Sequence, residues 1–133
     1  MRTPRIFLSY LQRDSRLAGE LTIALRKMGV DSFQTGLTIS AGNMWSTAID
    51  EGIRRADAVV VLLSSPEAAR SSWIGYEVGF AQGLGKTVVL LRSIDWSVAD
   101  YPTDLQHLRM IDLDPKSPEK TARALMANLP IAA

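Results

Sequence analysis

Short, wholly apolar runs alternate along the chain with segments whose apolar residues recur every three or four positions, the pattern of strands feeding helices. Ile6-Phe7-Leu8-Ser9-Tyr10 is a β-prone run, and Leu17, Leu21, Ala24, Leu25 and Met28 then keep helical spacing. Gly29 stands where a helix C-terminal cap belongs, which predicts a second strand over Val30-Asp31-Ser32-Phe33. Gln34 to Asn43 contains Gly36 and Gly42 and follows neither period, so a long loop is expected before a helical face of Trp45, Ala48, Ile49 and Ile53. The run Asp57-Ala58-Val59-Val60-Val61-Leu62-Leu63 is apolar at alternate and intervening positions alike, as a central strand covered by helices on both sides must be. Ser64-Ser65-Pro66-Glu67 joins a hydroxyl cap, a proline at the first helical position and an acidic first turn, and predicts one helix running to about Leu84, stopped by Gly85. Thr87 to Leu91 reads as another buried strand, residues 92–104 as a polar connection, Arg109-Met110-Ile111 as a weak last strand, and Pro118 to Leu129 as a closing helix.

Strands and helices alternating on so short a period imply parallel neighbours joined by right-handed crossovers. The expected fold is therefore α/β: a flavodoxin-like or Rossmann-like three-layer sandwich, with a five-stranded parallel sheet and helices on both faces. In such sheets the binding crevice lies beyond the carboxyl ends of the strands. That directs attention to Ser9-Tyr10-Leu11, to Phe33 and its loop, to Ser64-Ser65, and to Arg92 through Trp96.

Composition narrows the function more than the fold. A length of 133 residues suits a single domain over 1–133, with no repeat, low-complexity stretch or interdomain linker inside it. With 47% hydrophobic and 22% charged residues, disorder and coiled-coil readings fall away. A net charge of +1, with basic residues scattered rather than striped, argues against nucleic acid as a partner. The count of zero cysteines removes a disulfide framework, a thiol nucleophile and cysteine-ligated metal sites, and a cytoplasmic setting is the default expectation. No apolar stretch approaches the ~18 residues of a membrane span, and neither a signal peptide nor a membrane partner is expected.

Two familiar motifs fail on inspection. Gly83-Leu84-Gly85-Lys86-Thr87 resembles the end of a phosphate-binding loop, but Phe80 occupies the earlier glycine position. It also leads from helix into strand, the reverse of what aims helix amides at a phosphate. After the first strand stands Tyr10-Leu11-Gln12-Arg13 in place of a dinucleotide glycine fingerprint. His107 is the sole histidine, in a predicted loop, without a second histidine for a metal site, so no metal centre is expected.

Trp73-Ile74-Gly75-Tyr76-Glu77 places an aromatic and a carboxylate one helical turn apart, a pairing suited to a cationic or sugar-bearing ligand. Spacing alone is equally that of a solvated glutamate beside a core tryptophan. Gly75, Gly79 and Gly83 recur on the same helix, each costing roughly 1 kcal/mol of helix propensity relative to alanine. Close packing of that helix on the sheet is the expected reason; room for a ligand or a second protomer is the other.

Taken in order, these pieces resemble the TIR (Toll/interleukin-1 receptor) domain family across nearly the whole chain. Arg5-Ile6-Phe7-Leu8-Ser9-Tyr10 is similar to its first-strand signature, with Asp14, Ala18 and Leu21 suiting the first helix. Gly29 to Phe33, Ile39-Ser40-Ala41-Gly42 and Trp45 to Ile53 resemble its second strand, long loop and following helix. Asp57 to Ser64 resembles the central strand, Ser71-Ser72-Trp73 with Glu77 its Ser-x-Trp-x-x-x-Glu helix, and Lys86 to Leu91 the next strand.

Many members of that family cleave the nicotinamide–ribose bond of NAD+, and the resemblance implies this activity, with Glu77 catalytic and NAD+ a substrate, not a resident cofactor. It implies further that Phe33 and Trp96 lie toward the nicotinamide, that Tyr10 and Leu11 line the ribose and phosphates, and that Trp73 supports the helix face beside Glu77, with Ser71 and Trp73 both among the substrate-binding residues. Leu11-Gln12 stands where some catalytic relatives carry basic residues, with Arg13 one place on. The loop lacks the Arg-Asp-x-x-Pro-Gly of animal adaptors, which tilts the resemblance toward a bacterial, enzymatic type acting in immune defence. Partners implied are other TIR protomers, in a homo-oligomer or filament, with the chain able to form part of a larger protein. The rival reading is a non-enzymatic module for homotypic TIR contact, and a weaker one a nucleoside deoxyribosyltransferase.

Overall fold

The computed structural model describes residues 4–34 and 47–129, excepting the side chains of residues 33–34, 47–49 and 72–73. Strand β1 (Arg5–Ser9) leads through a 3-10 turn into α1 (Ser15–Lys27), followed by β2 (Asp31–Gln34), α2 (Thr47–Arg55) and β3 (Ala58–Leu63). Two helices, α3 (Pro66–Ala69) and α4 (Ser72–Gly83), precede β4 (Thr87–Ser93), β5 (Arg109–Leu113) and α5 (Pro118–Asn128). The loop expected over Gln34 to Asn43 falls almost wholly outside the described residues.

All four strand pairs are parallel, in the order β2-β1-β3-β4-β5. This is the flavodoxin-like arrangement, in which the winding reverses between β1 and β3 and opens a crevice there at the carboxyl ends. The fully apolar β3 occupies the middle and is buried at every position, as its lack of alternation requires.

Strand alternation divides the core in two. Ile6, Leu8, Val60, Leu62, Val89 and Leu91 pack with α1 and α5 on one face. Phe7, Val59, Val61, Leu63, Val88 and Leu90 pack with Ile53 of α2 and with Ala68, Ile74, Val78 and Ala81 of α3 and α4 on the other. Gly29 (φ +84°) and Gly85 (φ +73°) end α1 and α4 in the left-handed conformation that glycine adopts without a Cβ penalty.

Three expectations need correction. The single helix predicted from Ser65 to Leu84 is two, because Ser71 takes an extended conformation (φ −64°, ψ 130°) and its carbonyl starts α4 by accepting from Gly75 N at 3.1 Å. Ser65 does cap α3, accepting from Ala68 N at 3.3 Å. The glycine row Gly75, Gly79 and Gly83 faces solvent, and a Cβ at any of them would meet nothing within 4 Å. Close packing on the sheet is therefore not its reason. Finally, β4 and β5 each run two residues past their predicted ends, to Ser93 and Leu113.

Candidate functional site

Glu77 is wholly buried, although it is a carboxylate on a helix that borders solvent. Its place follows from α4, whose inner face carries Ile74, Val78 and Ala81 into the core, so position 77 turns inward with them. Opposite it stands the last residue of β1. Phe7 points toward α4, so Ser9, two positions on, does the same, and its hydroxyl donates to Glu77 Oε1. Both residues are 0% exposed. An unpaired buried carboxylate would be strongly disfavoured, and the Ser9 hydroxyl supplies the hydrogen bond that burial demands.

The pair lies at the crevice that topology predicts. Ser9 pairs with Val61 of β3, at the edge where the winding reverses, and the next inward-facing position of β3 is Leu63. The loops after β1 and β3 are tied together around it. Ser64 Oγ donates to Asp14 Oδ2 at 3.0 Å, Arg13 Nη2 donates to Ser65 Oγ at 3.0 Å, and Arg13 Nη1 lies 3.6 Å from Glu67 Oε1.

On the far side, the connection between β4 and β5 folds back over β3 without a full helix, using 3-10 turns at Val98–Asp100 and Thr103–Leu105. Tyr101 is buried there and its hydroxyl donates to the carbonyl of Leu63 at 3.0 Å. Burial is the main cause that pushes the Tyr101 phenol above its ordinary value of 10.0. Arg92, on the α4 side of β4, donates to the carbonyl of Trp96 and to Asp112 of β5, anchoring the loop at its base. Ile94, Trp96 and Val98 stand exposed above it.

The residues expected at the site divide by face. Leu11 is half-buried against the α4-side cluster, the same side as Glu77. The Tyr10 ring is 1% exposed and continues the series Ile6, Leu8 into the opposite, α1 side of the core. The alternation that turns Ser9 toward α4 turns Tyr10 to the other side of the sheet from Glu77. Trp96 presents a partly exposed side chain (44%), fit for contact with a ligand or a partner. Ser71 caps the start of α4 through its backbone, half-buried and making no side-chain cap. Position 73 lies one turn before Glu77 on α4, and position 33, on β2, pairs with Phe7 of β1; the side chains of Trp73 and Phe33 are outside the described residues.

Ser9 is one of the strand-end residues to which the sequence directs attention, but its pairing with Glu77, 68 residues away, is not foreseen there. The signal that could have found it is parity, counting in twos from Phe7. His107 is exposed, as expected of a loop residue. Lys86, part of the failed phosphate-loop match, donates to the carbonyls of Arg54 (2.8 Å) and Ala56 (3.1 Å) and so closes the end of α2. Among the described residues no group of acidic and histidine side chains could hold a metal ion, and no helix is long and apolar enough to cross a membrane.

A cleft of about 330 Å³ lies at the other end of the sheet, lined by Arg5, Asp31, Glu51 and Arg55 among others. It is bounded by the amino ends of β1 and β2 and contains no buried carboxylate. Glu77 and Ser9 lie at the opposite end, beyond the carboxyl ends of the strands.

A five-stranded parallel sheet in flavodoxin order, with a buried glutamate held at its switch point, defines a class of α/β domains. Within it, the sequence pattern of the TIR domain family matches residues 6–126, and the chain belongs to that family. None of the curated proteins matches the chain.

Several solved structures share its fold. The TIR domain of a Toll-related receptor from Hydra magnipapillata is similar at 18% identity and a TM-score of 0.66, over 92% of this chain and 95% of that one. A TIR-STING receptor from C. gigas, in complex with 2',3'-cGAMP, is similar at 20% identity and 0.67, over 94% of this chain and 41% of that one. A CMP N-glycosidase from Clostridium botulinum is similar at 17% identity and 0.63, over 92% and 98%.

Proposed function

We propose that this TIR domain is an NAD+ nucleosidase that breaks the nicotinamide–ribose bond, with Glu77 as the catalytic carboxylate. The observation that carries the reading is the buried Glu77, hydrogen-bonded by Ser9 at the switch-point crevice. Nicotinamide leaves carrying off the electron pair of the C–N bond, which cancels its ring's positive charge, so no general acid is needed. A glycosidase acting on a sugar oxygen needs two carboxylates; this reaction needs one anion beside the ribosyl oxocarbenium ion. Water then adds at the same carbon and loses a proton to give ADP-ribose, or a nucleophile within the molecule adds to give a cyclic isomer. The fold likeness to a CMP N-glycosidase supports N-glycosidic chemistry in general, because CMP too is a base joined to a ribose phosphate.

Glu77 is enclosed in the described structure, so substrate access requires the site to open; assigning that opening to assembly with other TIR protomers, and the protein to cytoplasmic immune signalling of a bacterial type, follows the sequence resemblance. Leu11, Trp96, Phe33, Ser71 and Trp73 are the further residues assigned to the substrate or to the helix face beside it. The test is incubation of dilute and of clustered protein with NAD+ and, separately, with CMP, resolving products by mass. Nicotinamide release that rises on clustering, with CMP intact, is the expected result. CMP cleavage in place of NAD+ cleavage would move the substrate assignment, and silence toward both would favour the second reading.

That second reading, a module acting by TIR–TIR contact alone, has an observation of its own: Tyr76, Ile94, Trp96 and Val98 are each at least 40% exposed. Self-association that persists in a protein inactive toward both nucleotides would establish it.

A further inference from the structure

The hydroxyls buried in this domain have distinct uses. Thr22 donates to the carbonyl of Ala18 at 2.9 Å, Tyr101 to that of Leu63 at 3.0 Å, and Thr121 to that of Ser117 at 3.4 Å. Ser93 accepts from the amide of Asp95 at 3.2 Å. Each of these satisfies main chain. Ser9, fully buried like its partner, donates to a carboxylate.

We infer that Ser9 is a positioning residue for Glu77, its hydroxyl fixing the orientation of the carboxylate that faces the ribosyl carbon. The inference rests on the nucleosidase reading and adds a role to it. A carboxylate pinned through Oε1 cannot swivel about its Cγ–Cδ bond, so its negative charge keeps one direction through the reaction. The placement comes from the backbone as well as from the hydrogen bond. β1 turns position 9 to the α4 side by alternation from Phe7, and α4 turns position 77 inward with Ile74, Val78 and Ala81. Each element is anchored independently of the pair, β1 by pairing with β2 and β3, and α4 by its apolar face. Ser9 itself does not reach the substrate; it acts through Glu77.

The test compares Ser9→Ala, Ser9→Cys and Ser9→Thr with the parent and with Glu77→Ala, measuring kcat and KM for nicotinamide release from NAD+ in clustered protein, with thermal midpoints recorded for each. Cysteine matches serine in shape but donates weakly, and threonine keeps the hydroxyl. Ser9→Ala and Ser9→Cys are expected to lower kcat about 10- to 100-fold, the range for a hydrogen bond to a charged group, with KM for NAD+ little changed. Ser9→Thr is expected to restore kcat. If Ser9→Ala does not fold, the cysteine and threonine variants carry the comparison.

Parental kcat in Ser9→Cys or Ser9→Ala overturns the inference while leaving the nucleosidase reading intact. So does a loss in which KM rises in parallel and threonine gives no rescue, which marks a merely structural role. A parent protein as silent as Glu77→Ala overturns the nucleosidase reading and this inference with it.

Discussion

The Tyr101 hydroxyl reaches across from the β4–β5 connection to the carbonyl of Leu63, the last residue of β3, at 3.0 Å. One side chain thus caps the central strand and fastens the loop that carries Trp96. Gln106 reinforces the same loop from its other end, donating to the carbonyls of Val98 (3.2 Å) and Tyr101 (2.8 Å).

Tyr101→Phe is expected to destabilise the domain by about 1 kcal/mol, since it leaves the Leu63 carbonyl without this donor. The phenol's pKa is raised above 10.0 by burial, so the folded state holds its proton more tightly than the unfolded chain. The associated stability is complete below pH 10.0 and is lost as pH rises through the higher folded value. Urea titrations at neutral and alkaline pH check both points, the phenylalanine variant having a flatter alkaline limb.

Arg92 and Asp112 differ in what their loss should do. The Asp112 side chain is 71% exposed, so Asp112→Asn should cost at most about 1 kcal/mol, within the range of surface ion pairs. The Arg92 side chain is 15% exposed and also serves the Trp96 carbonyl, so Arg92→Gln should cost more and loosen the loop. Denaturation midpoints give the ranking, and acrylamide quenching of tryptophan emission reads the loop. Equal midpoints would show that the Trp96 contact adds nothing.

Gly79→Ala should stabilise α4 by about 0.5–1 kcal/mol, because the residue is exposed, helical and has no atom within 4 Å of the added Cβ. Gly85→Ala should destabilise by about 1 kcal/mol or more, its φ of +73° being one that alanine rarely adopts. Thermal unfolding of the two variants should move in opposite directions.

How much of this was written in the sequence depends on the range over which each signal acts. β3 was legible because six consecutive apolar residues from Ala58 to Leu63 allow no exposed face, and the ends of α1 and α4 because Gly29 and Gly85 mark them locally. The break at Ser71 carries only a weak local mark, the polar run Arg70-Ser71-Ser72 with a serine at the N-cap, and neither proline nor glycine reinforces it. The outward direction of the glycine row is hidden in the sequence because α4 is apolar nearly all round, so its inward face does not stand out. Glu77 came from its motif, but Ser9 lies 68 residues away, and their meeting depends on the packing of β1 against α4. Local rules placed each element; the pair is a product of the tertiary fold.

Whether Glu77 performs the cleavage is tested most directly by nicotinamide release from NAD+ by clustered parent protein and by Glu77→Gln at matched fold stability. Glutamine preserves size and can still accept from Ser9, so it removes the charge and little else. The parent is expected to release nicotinamide, with ADP-ribose or its cyclic isomer found by mass, and the variant to lose at least about 100-fold, a barrier change of about 2.7 kcal/mol. Equal release by the two proteins would contradict a catalytic role for Glu77.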